Sequence, residues 1–134
     1  MSNKPIPKPT PETEPFWQGC AVGELRLQHC LSCGHVQYPA RKLCSGCFAQ
    51  EVEWRKASGH GTIRTWSTVV APGAPGFEDE IPFLSVLVQL EEGPTMISVL
   101  RECTADEIDF DMPVEVIFEA RSEEISIPYF KPLL

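Results

Sequence analysis

The chain has 134 residues, of which 43% are hydrophobic and 22% charged, values typical of a globular protein rather than a disordered one. Residues 1–64 carry 8 Lys/Arg and 5 Asp/Glu (+3), whereas residues 65–134 carry 3 Lys/Arg and 14 Asp/Glu (−11), which together give the net charge of −8. The strongly acidic C-terminal half is therefore a poor partner for a polyanion such as nucleic acid.

The first residues favour a cytoplasmic protein. The segment "MSNKPIPKPTPETEP" contains no apolar stretch and so does not have the pattern of a secretory signal. The longest apolar run, residues 81–90, is too short to cross a bilayer as a helix. We expect no membrane contact, and we expect paired cysteines to bind metal more often than to form disulfides.

Residues 1–12 are predicted to form an extended arm, because every second residue from position 5 to 11 is proline. Such an arm is either disordered in the free protein or lies along the surface of a partner.

A helix is predicted over residues 13–24, with Thr13 as its cap and Pro15 in its first turn. Phe16 and Trp17 stand near its start. Because so short a helix has little of its own to pack on, these aromatic rings either lie on the rest of this chain or anchor a partner. Phe16 and Trp17 are therefore candidates for a partner interface.

Residues 25–58 are predicted to form a zinc ribbon. "ELRLQHC" alternates apolar and polar residues as a strand does, and "HVQYP" can return as its hairpin partner. Two Cys-x-x-Cys pairs separated by ten residues can place four thiolates on one tetrahedral ion: Cys30, Cys33, Cys44 and Cys47. All four ligand positions are then filled, which indicates a structural zinc ion. A rubredoxin-like iron site and a pair of disulfides remain alternatives.

Residues 59–134 are predicted to form a small β domain. Five segments rich in β-branched and aromatic residues follow one another, with an acidic and partly helical connection, "TADEIDFD", before the fourth. Five short strands in this length fit a Greek-key barrel of the OB type, with an open meander as the alternative.

The remaining reactive side chains do not form a recognisable catalytic set. Cys20 and Cys103 have no neighbouring histidine or lysine in the sequence, so they are predicted to be inert thiols. His60 lies between two glycines, which favours a simple bend over a ligand site. Arg41 and Lys42 belong to a basic group near the ribbon that is either ordinary solvated charge or meets the phosphates of coenzyme A.

The chain resembles the zinc-ribbon plus OB-fold family of acyl-CoA-associated proteins, long described as a domain of unknown function. The resemblance rests on "PFWQG", "GELRLQHCLSCGHVQYPARKLCSGC", "EWRKASGHGTIRTWSTV", "IPFLSVLVQLEEGP" and "MPVEVIFE", and it covers residues 13–131. Two positions differ from the family pattern where glycine is common, Phe48 and Asp111. The second knuckle and the turn before the fourth barrel strand are therefore expected to be less regular.

The resemblance implies a short helix, a rubredoxin-like zinc ribbon and a C-terminal OB barrel. It also implies a non-catalytic accessory subunit in a hetero-oligomer, whose thiolase-like, aldolase-like or hydratase partner acts on a coenzyme A thioester and supplies the catalytic residues. The residues carried over, besides the four cysteines, Phe16 and Trp17, are Tyr38, Pro39 and Arg41. With Lys42, Tyr38 and Arg41 are the candidates for contact with acyl-CoA or with the partner.

Two other functions are compatible with the sequence. Zinc ribbons and OB barrels both occur in nucleic-acid-binding modules, although the charge of the C-terminal half argues against that role here. An iron ion in the cysteine site would instead make the chain a one-electron carrier.

Overall fold

A computed structural model describes residues 4–71 and 75–133. Its elements are α1 (Glu14–Ala21), β1 (Arg26–Cys30), β2 (Val36–Gln37), β3 (Val52–Lys56), β4 (His60–Val69), β5 (Phe83–Leu90), β6 (Thr95–Leu100), β7 (Pro113–Ala120) and β8 (Ser126–Pro132). The predicted class, mostly β with one short helix, is confirmed.

Helix α1 ends three residues earlier than predicted. Gly23 takes a positive φ of 80°, and its N–H donates to the carbonyl of Cys20 while that of Glu24 donates to Gly19. This pair of bonds is a Schellman motif, which satisfies the last carbonyls and stops the helix.

Thr13 occupies the cap position of α1 but makes no side-chain cap bond. Its hydroxyl instead accepts the backbone N–H of Thr10 at 2.8 Å. The predicted side-chain cap is therefore wrong. One reason is that Pro15, the second helical residue, has no N–H to offer.

The ribbon is a three-stranded antiparallel sheet in the order β2-β1-β3. The predicted hairpin between β1 and the "HVQYP" segment is present as the β1–β2 pair. Leu25 and Leu27 are each 1% exposed, and both side chains belong to the same buried apolar cluster as residues of the barrel.

Strands β4 to β8 close into a barrel in the order β4-β5-β6-β8-β7. The open meander is therefore excluded. All neighbours are antiparallel except β6 and β8, which pair in parallel through Leu100 and Phe130. A closed five-stranded barrel with this crossover is the Greek-key topology of an OB fold. Buried and half-buried residues alternate along β5, and the buried side chains fill the interior of the barrel.

The connection between β6 and β7 is less helical than predicted. Thr104 and Glu107 close a single turn, in which the Glu107 carboxylate accepts the Thr104 N–H at 3.0 Å. The turn buries Ile108, and the chain then reverses at Asp111, whose φ is 61°. A positive φ of this kind interrupts helical geometry, which explains why the turn does not continue.

Helix α1 lies between the two sheets and contacts β1, β7 and β8. Phe16 and Cys20 are buried in the same apolar cluster as Leu27 of the ribbon and Phe130 of the barrel. One continuous core therefore joins the ribbon to the barrel, with the helix packed between them.

The described part of the N-terminal arm lies on the barrel of its own chain. Lys4 forms ion pairs with Glu80 and Glu119, and Arg101 pairs with the same two carboxylates. Arg121 donates to the carbonyl of Pro5 at 2.8 Å. At Lys4 and Pro5, the arm therefore contacts the barrel of its own chain.

The two glycines around His60 allow close packing within the chain itself. A Cβ on Gly59, whose φ is 82°, would lie 2.6 Å from the Val116 side chain. A Cβ on Gly61 would lie 2.6 Å from the carbonyl oxygen of Gln89 on the neighbouring strand β5. Only glycine permits this approach at the start of the barrel.

We predict that Gly61→Ala destabilises the protein by about 2 kcal/mol, because the backbone of β5 cannot move away from the added methyl group. Urea denaturation followed by tryptophan fluorescence measures this change. Gly46→Ala is the control, since its Cβ would meet nothing closer than 3.5 Å. Equal stability of the two variants would contradict the packing argument.

Candidate metal centre and the surface around it

The four predicted cysteine ligands converge on one point. The Sγ atoms of Cys30, Cys33, Cys44 and Cys47 all lie within 4.8 Å of one another. Two of these Sγ–Sγ distances, Cys30–Cys47 and Cys33–Cys44, are 3.6 Å. Four sulfurs at about 2.3 Å from a tetrahedral zinc ion are separated by about 3.8 Å, so this donor set fits zinc.

The two Cys-x-x-Cys knuckles have equivalent backbone geometry. The N–H of Gly34 donates to the carbonyl of Cys30 at 3.0 Å, and the N–H of Phe48 donates to that of Cys44 at 2.9 Å. Gly34 has a φ of 77° and Phe48 a φ of 64°. The irregularity expected from a phenylalanine in place of glycine is therefore not observed, because Phe48 adopts the left-handed conformation itself.

Backbone donors surround the first sulfur of each knuckle. Cys30 Sγ accepts the N–H groups of Ser32 and Cys33, and Cys44 Sγ accepts those of Gly46 and Cys47. The Cys33 and Ser32 donors lower the pKa of Cys30 to about 6. The Cys47 and Gly46 donors likewise lower the pKa of Cys44. Both effects favour the thiolate that binds a metal.

The pKa of Cys47 is raised, in contrast to the lowered pKa values of Cys30 and Cys44. The Ala49 backbone acts to lower it, but the neighbouring thiols of Cys33, Cys30 and Cys44 together raise it to about 12. Four thiolates cannot share so small a volume without a cation, and a bound divalent ion reverses the effect by stabilising every thiolate it contacts.

Both histidines beside the first knuckle lie outside the sulfur cluster. The ring of His35 is 3.0 Å from the hydroxyl of Ser45, which links the two knuckles. Four cysteines leave no position for water or substrate on the ion. Zinc would therefore hold the ribbon together and take no part in chemistry.

Two buried glutamines fix the segment between the knuckles. Gln28 is 3% exposed; its amide donates to the Arg41 carbonyl at 2.9 Å and its carbonyl oxygen accepts the Arg41 N–H at 2.9 Å. Gln37 donates to Gln28 and to Leu43, and it accepts the N–H of Ser45. Sequence reasoning missed both residues. Alternation along β1 places Gln28 on the face opposite Leu25 and Leu27, where a polar residue is expected to be exposed, and Gln37 pairs with Gln28 on that face.

The candidate residues of the linker differ in exposure. Tyr38 is partly buried, its ring is 5.6 Å from that of Phe16, and burial raises its pKa. Arg41 and Lys42 are exposed. The linker therefore presents two cations to solvent, while Tyr38 supports the helix.

The two aromatic residues of α1 are not equivalent. Phe16 is 5% exposed and packs edge to face with Trp17 at 5.1 Å. Phe16 thus belongs to the core of this chain, and a partner can reach it only by rearranging that core. Trp17 is partly exposed and lines an open groove of about 470 Å³ between α1 and the turn before β8. Of the pair, Trp17 is the accessible candidate.

The remaining thiols are not activated. Cys20 is 1% exposed, and burial raises its pKa to about 12. Burial also raises the pKa of Cys103, and the nearby Glu107 adds to the effect. A raised pKa disfavours the nucleophilic thiolate at neutral pH.

Across residues 4–71 and 75–133, no helix is long and apolar enough to cross a membrane.

We predict that removing the metal unfolds residues 25–58 while the barrel strands keep their protection in amide hydrogen exchange. The reason is that zinc contributes on the order of 10 kcal/mol to domains too small to fold on their own cores. Cys44→Ser should lose the zinc and this protection together. Cys103→Ser, the control, should keep one zinc ion per chain. Native protection of residues 25–58 in zinc-free protein would contradict a structural role for the metal.

Two family models match adjacent parts of the chain. Residues 17–53 match the rubredoxin-like zinc ribbon domain of ChsH2, and residues 54–119 match the C-terminal OB-fold domain of ChsH2. A DUF35 domain-containing scaffold protein from Methanocaldococcus jannaschii is 34% identical over 122 residues, which cover 85% of this chain and 82% of that protein.

A solved structure, the Ltp2-ChsH2(DUF35) aldolase, contains a chain that matches 94% of this one and is itself covered to 98%, with a TM-score of 0.84 and 25% identity. A probable enoyl-CoA hydratase alpha subunit from Thermomonospora curvata is 28% identical over 118 residues; the match spans 87% of this chain but only 36% of that protein. Taken with the metal centre and the closed barrel, these matches show that the chain belongs to the DUF35 family of ChsH2-type zinc-ribbon and OB-fold proteins.

Proposed function

We propose that this protein is a non-catalytic accessory subunit of an enzyme that acts on coenzyme A thioesters. It would stabilise a separate catalytic chain in a hetero-oligomer and help to form the acyl-CoA site. The observation that carries the proposal is the likeness over nearly the whole chain to the DUF35 component of an aldolase complex.

The distribution of reactive groups supports an accessory role. Among the described residues, the only cluster of ligating side chains is the four-cysteine centre, whose coordination shell is closed. Within the same residues, the two other thiols have raised pKa values and no histidine beside them in sequence. Catalysis by the complex would therefore depend on the partner chain.

The partner is proposed to be thiolase-like or aldolase-like. A thiolase partner follows from the family resemblance, and an aldolase partner from the name of the similar complex. A hydratase complex is the alternative, because relatives such as the 3-oxo-4,17-pregnadiene-20-carboxyl-CoA hydratase alpha subunit of Mycobacterium tuberculosis align with 84% of this chain. The family resemblance implies a coenzyme A thioester as the substrate of all three kinds of partner, and this is the common element of the proposal.

Nucleic-acid binding is disfavoured by charge. The half of the chain that forms the barrel carries −11, whereas a barrel that follows a phosphate backbone needs cations along its strands.

Co-expression tests the accessory role. We expect this chain and a thiolase- or aldolase-like protein from the same genome to co-purify at fixed stoichiometry, with thioester turnover that needs both chains. The proposal would be overturned if the large chain were fully active alone and did not bind this chain.

The exposed guanidinium of Arg41 provides a second test. Because Gln28 binds the Arg41 backbone, Arg41→Ala should leave the fold and the zinc content unchanged. We expect the KM for the acyl-CoA or the Kd for the partner to rise about tenfold, as for one lost charge-assisted contact. Arg64→Ala on the exposed side of β4 is the matched control. Unchanged constants in Arg41→Ala would exclude a role for its side chain.

A further inference from the structure

Phe48 is placed where its own fold gains little from it. Its side chain is 74% exposed, and its φ of 64° lies in the left-handed region. The equivalent position of the first knuckle is Gly34, for which this conformation carries no steric cost. A bulky, exposed, apolar residue in a backbone conformation that favours glycine is not explained by the stability of the ribbon.

Phe48 belongs to a larger surface. Together with Leu43, which is 38% exposed, and the exposed Arg41 and Lys42, it lines a groove of about 270 Å³ beside the metal centre. We name Arg41, Lys42, Leu43 and Phe48 the knuckle surface. At the first knuckle, Leu31 is a further exposed apolar side chain, at 56%.

The knuckle surface is rigidly supported. Cys44, between Leu43 and the rest of the second knuckle, is fully buried and is a metal ligand. Gln28 binds both the N–H and the carbonyl of Arg41. Side chains on so fixed a frame lose little further backbone entropy when they bind, which is the property expected of a preorganised interface.

The charge of this region indicates what can bind there. Residues 30–50 contain two cations and no Asp or Glu, so the rest of the chain carries −8 − 2 = −10. A zinc ion with four thiolates adds two negative charges, which makes the segment neutral but still far less acidic than its surroundings. Lys42 lies 3.4 Å from Glu12, yet its side chain is 80% exposed and remains accessible.

We propose that the knuckle surface is the docking site for the catalytic subunit, with the Phe48 ring inserted into an apolar pocket that has an acidic rim. This inference rests on the proposed function and specifies which surface of this chain makes the complex. Exposed aromatic and arginine side chains on a rigid support are the residues that dominate binding energy in protein interfaces. Leu43 and Phe48 give the groove exposed apolar side chains, which a phosphate-bearing ligand does not require.

Phe48→Gly is the deciding variant, because it removes the ring and replaces it with the residue that the backbone favours. We expect unchanged zinc content and equal or higher thermal stability, with a Kd for the catalytic subunit raised about 30-fold. Ile97→Ser is the matched control, since Ile97 is 73% exposed on the barrel strand β6. It should leave that Kd unchanged.

The outcomes separate this inference from the proposed function. If the wild-type chain forms the complex and Phe48→Gly binds equally well, the docking site is wrong and the accessory role stands. If the wild-type chain binds no such subunit, the accessory role itself fails. Two further measurements use the isolated chain: titration with coenzyme A, and sedimentation to detect self-association. If either shows binding that Phe48→Gly abolishes, the knuckle surface belongs to a nucleotide or to a second copy of this chain, respectively. Either result would overturn the proposal.

Discussion

The convergence of four cysteine sulfurs within 4.8 Å is the constraint on which the ribbon depends. Its sheet has three strands, one of them only two residues long, and this is too little apolar surface to hold a fold. A tetrahedral ion fixes both knuckles at once, and the knuckles then set the ends of the linker between them. The buried side chains of Gln28 and Gln37 add hydrogen bonds to the linker backbone, which satisfy polar groups that have no partner in a sheet.

The ribbon is not independent of the barrel. Helix α1 contacts both sheets, and one apolar cluster extends from Leu27 to Phe130. The turn after β5 adds polar contacts, since the Glu92 carboxylate accepts the Ser58 N–H at 2.8 Å and the Ser58 hydroxyl lies 3.2 Å from Glu91. Fixing the metal end of the ribbon therefore fixes the position of the knuckle surface relative to the barrel, as the proposed accessory role requires.

Several charged side chains of the described residues form ion pairs on the barrel. In the cluster of Lys4, Glu80, Arg101 and Glu119, the positive neighbours outweigh burial and lower the pKa of Glu80. The left-handed backbone at Phe48 serves the second knuckle, where the Phe48 N–H donates to the Cys44 carbonyl, but a glycine would make the same bond without an exposed ring. Natural proteins retain such backbone strain where a function depends on it, and at Phe48 the strain accompanies an exposed aromatic ring.

The sequence alone determined the short helix, every strand except β3 and the metal site, because these depend on local spacing: apolar alternation defines strands, and two Cys-x-x-Cys pairs define a tetrahedral centre. It also left two questions open that only the tertiary structure decided. Closure of the barrel and burial of Phe16 depend on contacts between residues far apart in the chain, which no local pattern reports. The positions of Arg41 and Phe48 depend on two glutamines and on one backbone angle, and the sequence shows the residue types but not the bonds that hold them.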